Sequence, residues 1–546
     1  MCIVLLPKFL PTNKKMRKIL LLTAAMISVA STAFAGGYLT NTNQSVSFLR
    51  NPARDAYIAI DGAYFNPAGI GFLSKGWHMG FDIQSAYQTR TASSYFAPFA
   101  AGTVNGVANP AGGRKDFEGK ATAPVIPSID LARVADKWFF SFHFGITGGG
   151  GKCKFDDGLG SFESQVALLP DLINALQPGA VSGYSMDTRM QGRQYYFGGQ
   201  FGVGYKVTDK FNVSVGGRVV YADCNYYGHV RNIQVGVNTP QGVVYMPAAQ
   251  LFESQGMPDF AALAGNRELN CDQTGWGFTP VIGVDYNFGK LNVAAKYEFK
   301  TRLRLKNKSG INTSGLAEYD DGKEIAADIP AILTLGAKYD VLDNLRVSTG
   351  FHYYFDKQAT QYEHKENHLA GGGWEVLAGV EYDINDRFTV SAGWQTTNYG
   401  LGDDSQFLSD MSFVTNSNSV GLGARIQIKK RIHLNVAYFK TIYTHYKKNM
   451  KPYDKLDQKA GAMVNQLTAA LTADAQYQQS VLANPNATAE QRASASARLG
   501  VIAAEAGAAE TVLGAVGAAM GSGRYDGFDK FHRTNDVFGL GMEIDF

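Results

Sequence analysis

The chain holds 546 residues, of which 45% are hydrophobic and 12% aromatic, with 61 glycines and a net charge of +3 from 51 basic and 48 acidic side chains. That length calls for several domains or one large closed sheet. The near balance of charge excludes the strongly basic surface of a nucleic-acid binder, and no interior run approaches the roughly 18 consecutive apolar residues of a membrane helix.

Lys14, Lys15, Arg17 and Lys18 precede an apolar run from Ile19 to Ala30, followed by Ala33-Phe34-Ala35. A basic stretch, an oily stretch and a small-x-small site make up a secretory signal peptide. Residues 1–35 are therefore expected to be removed after Ala35, with 1–15 an upstream extension if synthesis starts at Met16. Cys2 has no lipobox-like surroundings at the cleavage point, so no lipoprotein is read. Residues 36–76 follow without sustained alternation.

From Trp77 onward one rhythm runs to the end. Between Leu291 and Leu303 the odd positions are Leu291, Val293, Ala295, Tyr297, Phe299, Thr301 and Leu303, whereas the even ones include Asn292, Lys296, Glu298, Lys300 and Arg302. An oily face and a charged face at period two describe a strand between two different environments. Fourteen segments share the pattern: 77–89, 124–133, 138–147, 194–206, 211–226, 275–288, 291–304, 329–339, 345–355, 374–382, 388–396, 418–428, 432–443 and 536–546. An even count suits a single-chain barrel.

Short turns, such as Ala135-Asp136-Lys137, Gly289-Lys290 and Asn385-Asp386-Arg387, alternate with long stretches at 90–123, 148–193, 227–274, 305–328, 356–373, 397–417 and 444–535. Tyr205, Tyr286, Phe288, Tyr339, Tyr382 and Phe388 stand beside the short turns, as an interfacial girdle would. The expected fold is all-β: a 14-stranded antiparallel transmembrane β-barrel spanning 77–546, in the outer membrane of a Gram-negative bacterium. The final run, Val537 to Phe546, is apolar at every even position and ends on an aromatic, as a closing strand read by the barrel assembly machinery would. The seventh long stretch carries an alanine-rich insertion at about 455–520, read as two helices parted by Asn484-Pro485-Asn486, with Thr488 and Gln491 placed as a capping box.

Chemistry is sparse. Three cysteines remain after signal removal, Cys153, Cys224 and Cys271; one disulfide can form in an oxidising compartment, with its pairing open and one thiol left over. His364 and His368 are four apart, which would suit metal binding only on a helix, and they lie in an expected exposed loop. No Ser/His/Asp set, P-loop or CxxC stands out, so no catalytic residue, metal or cofactor is expected.

Asn51-Pro52-Ala53 and then Asp61 to Leu73, which contains Asn66, Pro67 and Ala68, precede the first strand. With the strand count and Phe546, this segment resembles the FadL-type transporters of long-chain fatty acids and other hydrophobic compounds. Pro127-Ser128-Ile129 followed by Val134 to Trp138 looks like that family's second strand, first turn and third strand. The resemblance covers nearly the whole mature chain; the long second outer loop and the insertion at 455–520 depart from it.

The resemblance implies that residues 36–76 form a hatch inside the lumen, with Asn66, Pro67 and Ala68 as its motif. It implies a capture groove between the third and fourth outer loops. Val243, Val244, Met246, Leu251, Phe252, Met257, Phe260 and Leu263 are unusually oily for the third loop and are the groove candidates. A kinked third strand would open the wall sideways, for which Gly148, Gly149, Gly150 and Gly151 are candidates. For a ligand carboxylate, parity turns Arg218, Lys296 and Arg425 inward, although lumen charges often pair with one another. The function so implied is passive uptake of a hydrophobic ligand such as a fatty acid, by a monomer in contact with outer-membrane lipid, without cofactor or nucleic acid. Alternatives are a surface adhesin or structural barrel using the helical loop, and a polar-solute porin.

Overall fold

The structure, a computed structural model, describes residue 40, residues 42–401 and residues 408–546. The signal peptide expected at 1–35 lies outside the described residues.

Fourteen antiparallel strands form the wall: β1 (Gly76–Phe96), β2 (Arg114–Val134), β3 (Trp138–Phe155), β4 (Val181–Lys206), β5 (Phe211–Thr239), β6 (Arg267–Asn287), β7 (Leu291–Glu298, resumed at Arg304–Asn312), β8 (Ile332–Leu342), β9 (Leu345–Tyr354), β10 (Trp374–Asn385), β11 (Phe388–Asn398), β12 (Ser417–Lys429), β13 (Ile432–Tyr443) and β14 (Gly527–Asp545). Each pairs with the next, and β14 returns to β1 in register from His78↔Asp545 to Phe96↔Gly527. The sheet therefore has no edge. In hydrocarbon that is obligatory, because an unpaired backbone group has no water to bond.

Alternation appears as burial. On β1, Trp77, Met79, Phe81 and Tyr87 are exposed on the outer face while His78, Asp82 and Gln84 are buried in the lumen. Trp138, Tyr286, Phe288, Tyr339, Tyr382 and Phe388 stand exposed beside the short turns, and Trp138 meets Tyr205 with ring centroids 4.9 Å apart.

One segment departs from its pattern. The expected strand 291–304 breaks after Glu298, and beyond the break Thr301, Leu303 and Leu305 are buried, so the odd positions change from the outer to the inner side. Pro280 on β6 supplies the reason. The ladder runs to Glu298↔Val281 and restarts only at Lys306↔Thr274; between them Phe299 N–H donates to the Pro280 carbonyl at 2.9 Å and the Thr279 and Thr301 hydroxyls bond to each other. Proline has no N–H to return, and a ladder interrupted this way bulges.

Strands β4, β5 and β6 also run well past the expected limits. In their outer ends the backbone ladder continues although the outward face is no longer oily, as at Ser185, Asp187 and Arg189 on β4 and Glu268, Asn270 and Asp272 on β6.

Residues 42–75 lie inside the barrel and carry two short helices, α1 (Val46–Arg50) and α2 (Gly62–Phe65). The outer loops hold α3 (Gly160–Ala167), α4 (Leu169–Leu176), α5 (Ala248–Ser254), α6 (Pro258–Leu263), α7 (Leu456–Ala483) and α8 (Ala489–Gly521). Thr488 caps α8, accepting from Gln491 N–H at 3.1 Å while Gln491 Oε1 accepts from Thr488 N–H at 2.8 Å. Helices α7 and α8 pack through Leu467, Leu471, Ile502 and Ala509, and Arg498 of α8 ties Asp474 of α7 to Asp259 of α6.

The inner plug lies against wall glycines. A Cβ at Gly379 would sit 1.8 Å from Asn51 Oδ1, and one at Gly421 would sit 2.1 Å from the Leu49 carbonyl. Close approach of two backbones is what glycine permits. Gly421→Val should therefore displace the plug without stopping barrel closure: heat-modifiable electrophoretic migration is retained, and steady conductance in planar bilayers rises above the wild-type level.

Candidate functional site

The hatch is held by buried polar contacts that each end on the wall or on itself. Ser45 caps α1, accepting from Phe48 N–H at 3.0 Å and donating to Asp61 at 3.0 Å. Arg54 grips Asp61 with two bonds of 2.9 Å, and Arg50 reaches Glu381 on β10 at 2.6 Å. His352 on β9 bridges Asp55 of the hatch (3.0 Å) and Glu375 on β10 (2.8 Å). Burial pushes the Tyr57 and Tyr64 hydroxyls above the usual phenol range, so both remain protonated.

The two Asn-Pro-Ala copies work alike. Asn66 Oδ1 accepts from Gly69 N–H at 3.2 Å while its amide donates to Asp285 on β6. Asn51 Oδ1 accepts from Ala53 N–H at 3.2 Å while its amide donates to Tyr57 at 3.0 Å and to Ser348 on β9 at 3.3 Å. The Ala68 carbonyl accepts from Asn212 on β5 at 3.2 Å, and Pro67 packs near Gly202. In each copy the asparagine stabilises its own turn and fastens it outward.

The three inward cations expected from parity do face the lumen, but they do not converge. Arg218 and Lys296 share Glu298, each at 2.8 Å, and stand 4.8 and 4.7 Å from the ring centre of Tyr64. Lys296 also donates to the Tyr64 carbonyl at 2.9 Å. Arg425 pairs with Glu543 at 3.2 Å.

A different pair of cations faces open space. Beside the hatch is a cavity of about 220 Å³, lined among others by Gln44, Phe48, Gln88, Gln194, Tyr195 and Tyr443, and by Arg90 and Arg533. The two arginines are register partners on β1 and β14. Arg533 donates to Gln88 at 2.9 Å and lies 4.7 Å above the Tyr443 ring, and the buried Nε of each arginine has no hydrogen-bond partner. Buried donors without acceptors fit an anionic group. Both residues fall just outside the expected strands, 77–89 and 536–546. Carrying the inward parity of Gln84, Ala86 and Gln88 one step further would have found Arg90.

Outside this cavity lies an apolar pocket lined by Phe162, Val166, Val230, Ile233, Leu269 and Leu316, among others. Met190, Tyr226 and Met411 line both spaces and so form the partition between them. The oily third-loop residues sit elsewhere. Val243, Val244 and Met246 are on a short strand, Gly242–Pro247, paired with the tip of β5, with Val243 and Val244 about half exposed. Leu251 and Phe252 belong to α5, Met257 precedes α6, and Phe260 and Leu263 lie within it. Phe252 is buried and meets Phe260 at 5.7 Å between ring centres.

The wall itself is interrupted between β2 and β3. Pairing stops after Ile129↔Phe144 and resumes at Ala121↔Cys153. On the β2 side stand Pro124 and Pro127, which have no N–H to give; on the β3 side stand Gly148 to Gly151, with Gly149 at φ +95° and Gly151 at φ +72°. The hatch fills part of this break. Thr40 bridges to Gly148, Gln44 donates to the Ile146 carbonyl at 2.9 Å, and Ser128 donates to the Gln44 carbonyl at 2.7 Å. The arginine-lined cavity reaches the same place through Ala123, Ile126, Pro127 and Gly149 to Gly151.

Cys153, Cys224 and Cys271 are buried free thiols. Glu363 and His364 have left-handed backbone, so His364 and His368 do not share a helical face, and no cluster of metal-binding side chains occurs among the described residues.

The fold and these spaces define a transmembrane β-barrel with an internal hatch. No family model and no curated protein matches the chain. Among solved structures, a FadL homologue from Pseudomonas aeruginosa is similar at TM-score 0.55 and 14% identity, covering 94% of this chain and 100% of that one. A TodX deltaS2S3 mutant, a monoaromatic hydrocarbon channel, is similar at TM-score 0.51 and 12% identity, covering 92% and 99%. The chain has the FadL-type fold.

Glu381→Gln would leave Arg50 and Arg54 facing a neutral partner in the lumen, and breaking a buried ion pair on one side costs about 3–5 kcal/mol. Amide hydrogen exchange across 46–61 should accelerate in this variant while exchange in the wall strands stays as in the wild type.

Proposed function

We propose that the protein is an outer-membrane channel for passive uptake of hydrophobic small molecules, long-chain fatty acids first. The observation that carries this reading is the arginine couple, Arg90 and Arg533, each with an unsatisfied Nε and no carboxylate partner among the described residues, in a cavity that touches both an apolar outer pocket and a break in the wall. The outer pocket suits an alkyl chain, since each buried methylene contributes about 0.8 kcal/mol. The arginines suit its carboxylate.

The path follows from the contacts. Ligand enters the apolar pocket, passes the Met190, Tyr226 and Met411 partition, and places its head at Arg90 and Arg533. Exit runs sideways between β2 and β3, where displacing Thr40 and Gln44 uncovers the gap. The wall there is held by hatch contacts rather than by a full ladder, so opening breaks few backbone bonds. Flow down a gradient requires no energy source.

Labelled-oleate uptake by a deletion strain carrying the gene on a plasmid tests the reading. Arg90→Gln with Arg533→Gln should lower oleate uptake about tenfold, the effect of losing a charge-assisted contact. Uptake of toluene, which has no carboxylate, should not change. Oleate uptake equal with and without the protein would exclude fatty acids; loss of toluene uptake alone would assign an aromatic hydrocarbon channel.

A further inference from the structure

The outward wall above the membrane carries a second charged site, unconnected with the lumen. A short strand, Tyr446–Met450, prolongs β13 along the start of β14, and its register sets Lys447 directly opposite Lys530. On the other side of β14, Tyr95 of β1 pairs with Phe528, and Arg114 of β2 pairs with Tyr95. Ser94, Phe96, Asp529 and Phe531 are buried on the inner side. The opposite parity, with Lys447, Lys530 and Arg114 exposed, therefore faces out.

Like charges set directly opposite in an antiparallel pair repel. Here they gather around one aromatic stack instead of separating. Tyr95 and Phe528 lie 5.6 Å apart at 25°. Lys447 Nζ is 4.3 Å and Lys530 Nζ 5.7 Å from the Phe528 ring centre, and the Arg114 guanidinium carbon is 5.8 Å from Phe528 and 5.9 Å from Tyr95. Neighbouring outward lysines are neutralised: Lys440 by Asp536 at 2.9 Å and Lys120 by Glu118 at 3.0 Å. Among the described residues, none of Arg114, Lys447 and Lys530 forms an ion pair with a carboxylate.

The height of the cluster identifies its counter-charge. Ile442, 58% exposed, is the last apolar outward residue of β13 and stands across from Thr534. Lys530 is four residues further along β14, about 10 Å along the membrane normal for a strand tilted near 40°. In an outer membrane that level is the sugar-phosphate layer of the outer leaflet. We infer that Arg114, Lys447 and Lys530, arranged around Tyr95 and Phe528, bind a phosphate group of lipopolysaccharide, with the rings offering a face to its sugar. The inference rests on the outer-membrane placement proposed above.

The test uses the full mature protein in non-ionic detergent, with purified lipopolysaccharide added and adducts counted by native mass spectrometry. The wild type should bind the glycolipid. Lys447→Ser with Lys530→Ser should weaken binding about tenfold, since each basic residue near an anionic surface adds to the attraction. Lys120→Ser, whose lysine already has a partner, should bind as the wild type does, as should the double variant in oleate uptake. Enzymatically dephosphorylated lipopolysaccharide should bind the wild type as weakly as intact glycolipid binds the double variant. Equal binding by wild type and double variant, both showing heat-modifiable migration, would overturn the site. Displacement by inorganic phosphate at matching concentration would overturn the lipid assignment, leaving a free-anion site. A protein that fails to fractionate with outer membranes would sink the placement itself, and that is seen before any lipopolysaccharide is added.

Discussion

A backbone N–H or C=O in hydrocarbon has no water to turn to, and leaving it bare costs several kcal/mol. The wall of this protein answers that constraint throughout its course. The sheet closes on itself through β14 and β1, so the wall has no edge. Where Pro124 and Pro127 face the glycines of β3 and the ladder cannot form, the hatch supplies substitute partners through Thr40 and Gln44. At Pro280 the same loss of a donor is absorbed by a bulge, and the strand resumes with its faces exchanged. Two proline interruptions thus have different outcomes: the hatch bridges one, and the wall absorbs the other within its own strands.

The lumen adds a second demand. Polar side chains turned inward must find partners where the hatch buries them. The hatch and the wall satisfy one another: Arg50 and Arg54 with Glu381, Asp55 with His352, Asn66 with Asp285, and Tyr64 between Arg218 and Lys296. Most lumen charge is consumed in this way. Arg90 and Arg533 stand apart because, among the described residues, neither pairs with a carboxylate, whereas Arg50, Arg189 and Arg193, whose Nε atoms are also without a partner, each do, and the functional proposal rests on that difference.

Parity, turn length and capping chemistry made the wall legible from the residues. Alternation between hydrocarbon and lumen leaves a period of two wherever the chain crosses the membrane, and the fourteen segments, the short turns and the capping box at Thr488 all carry that kind of local mark. Local marks do not see across the barrel. Leu303 keeps the rhythm of Leu291 yet faces the other way, because the cause lies in Pro280 on the neighbouring strand. Arg218 and Lys296 could be assigned to the inner face, but their shared engagement with Glu298 and Tyr64 depends on a hatch residue that precedes them by 154 and 232 positions in sequence.

The amino-acid order alone determined that this chain crosses a membrane as a closed 14-stranded sheet, since a strand's two environments are written into consecutive side chains. Tertiary structure decided which lumen charges are occupied and which are open, where the wall is unpaired, and which segment covers it. Those are properties of register and of the hatch's position, and each joins residues that no periodicity along the chain brings together.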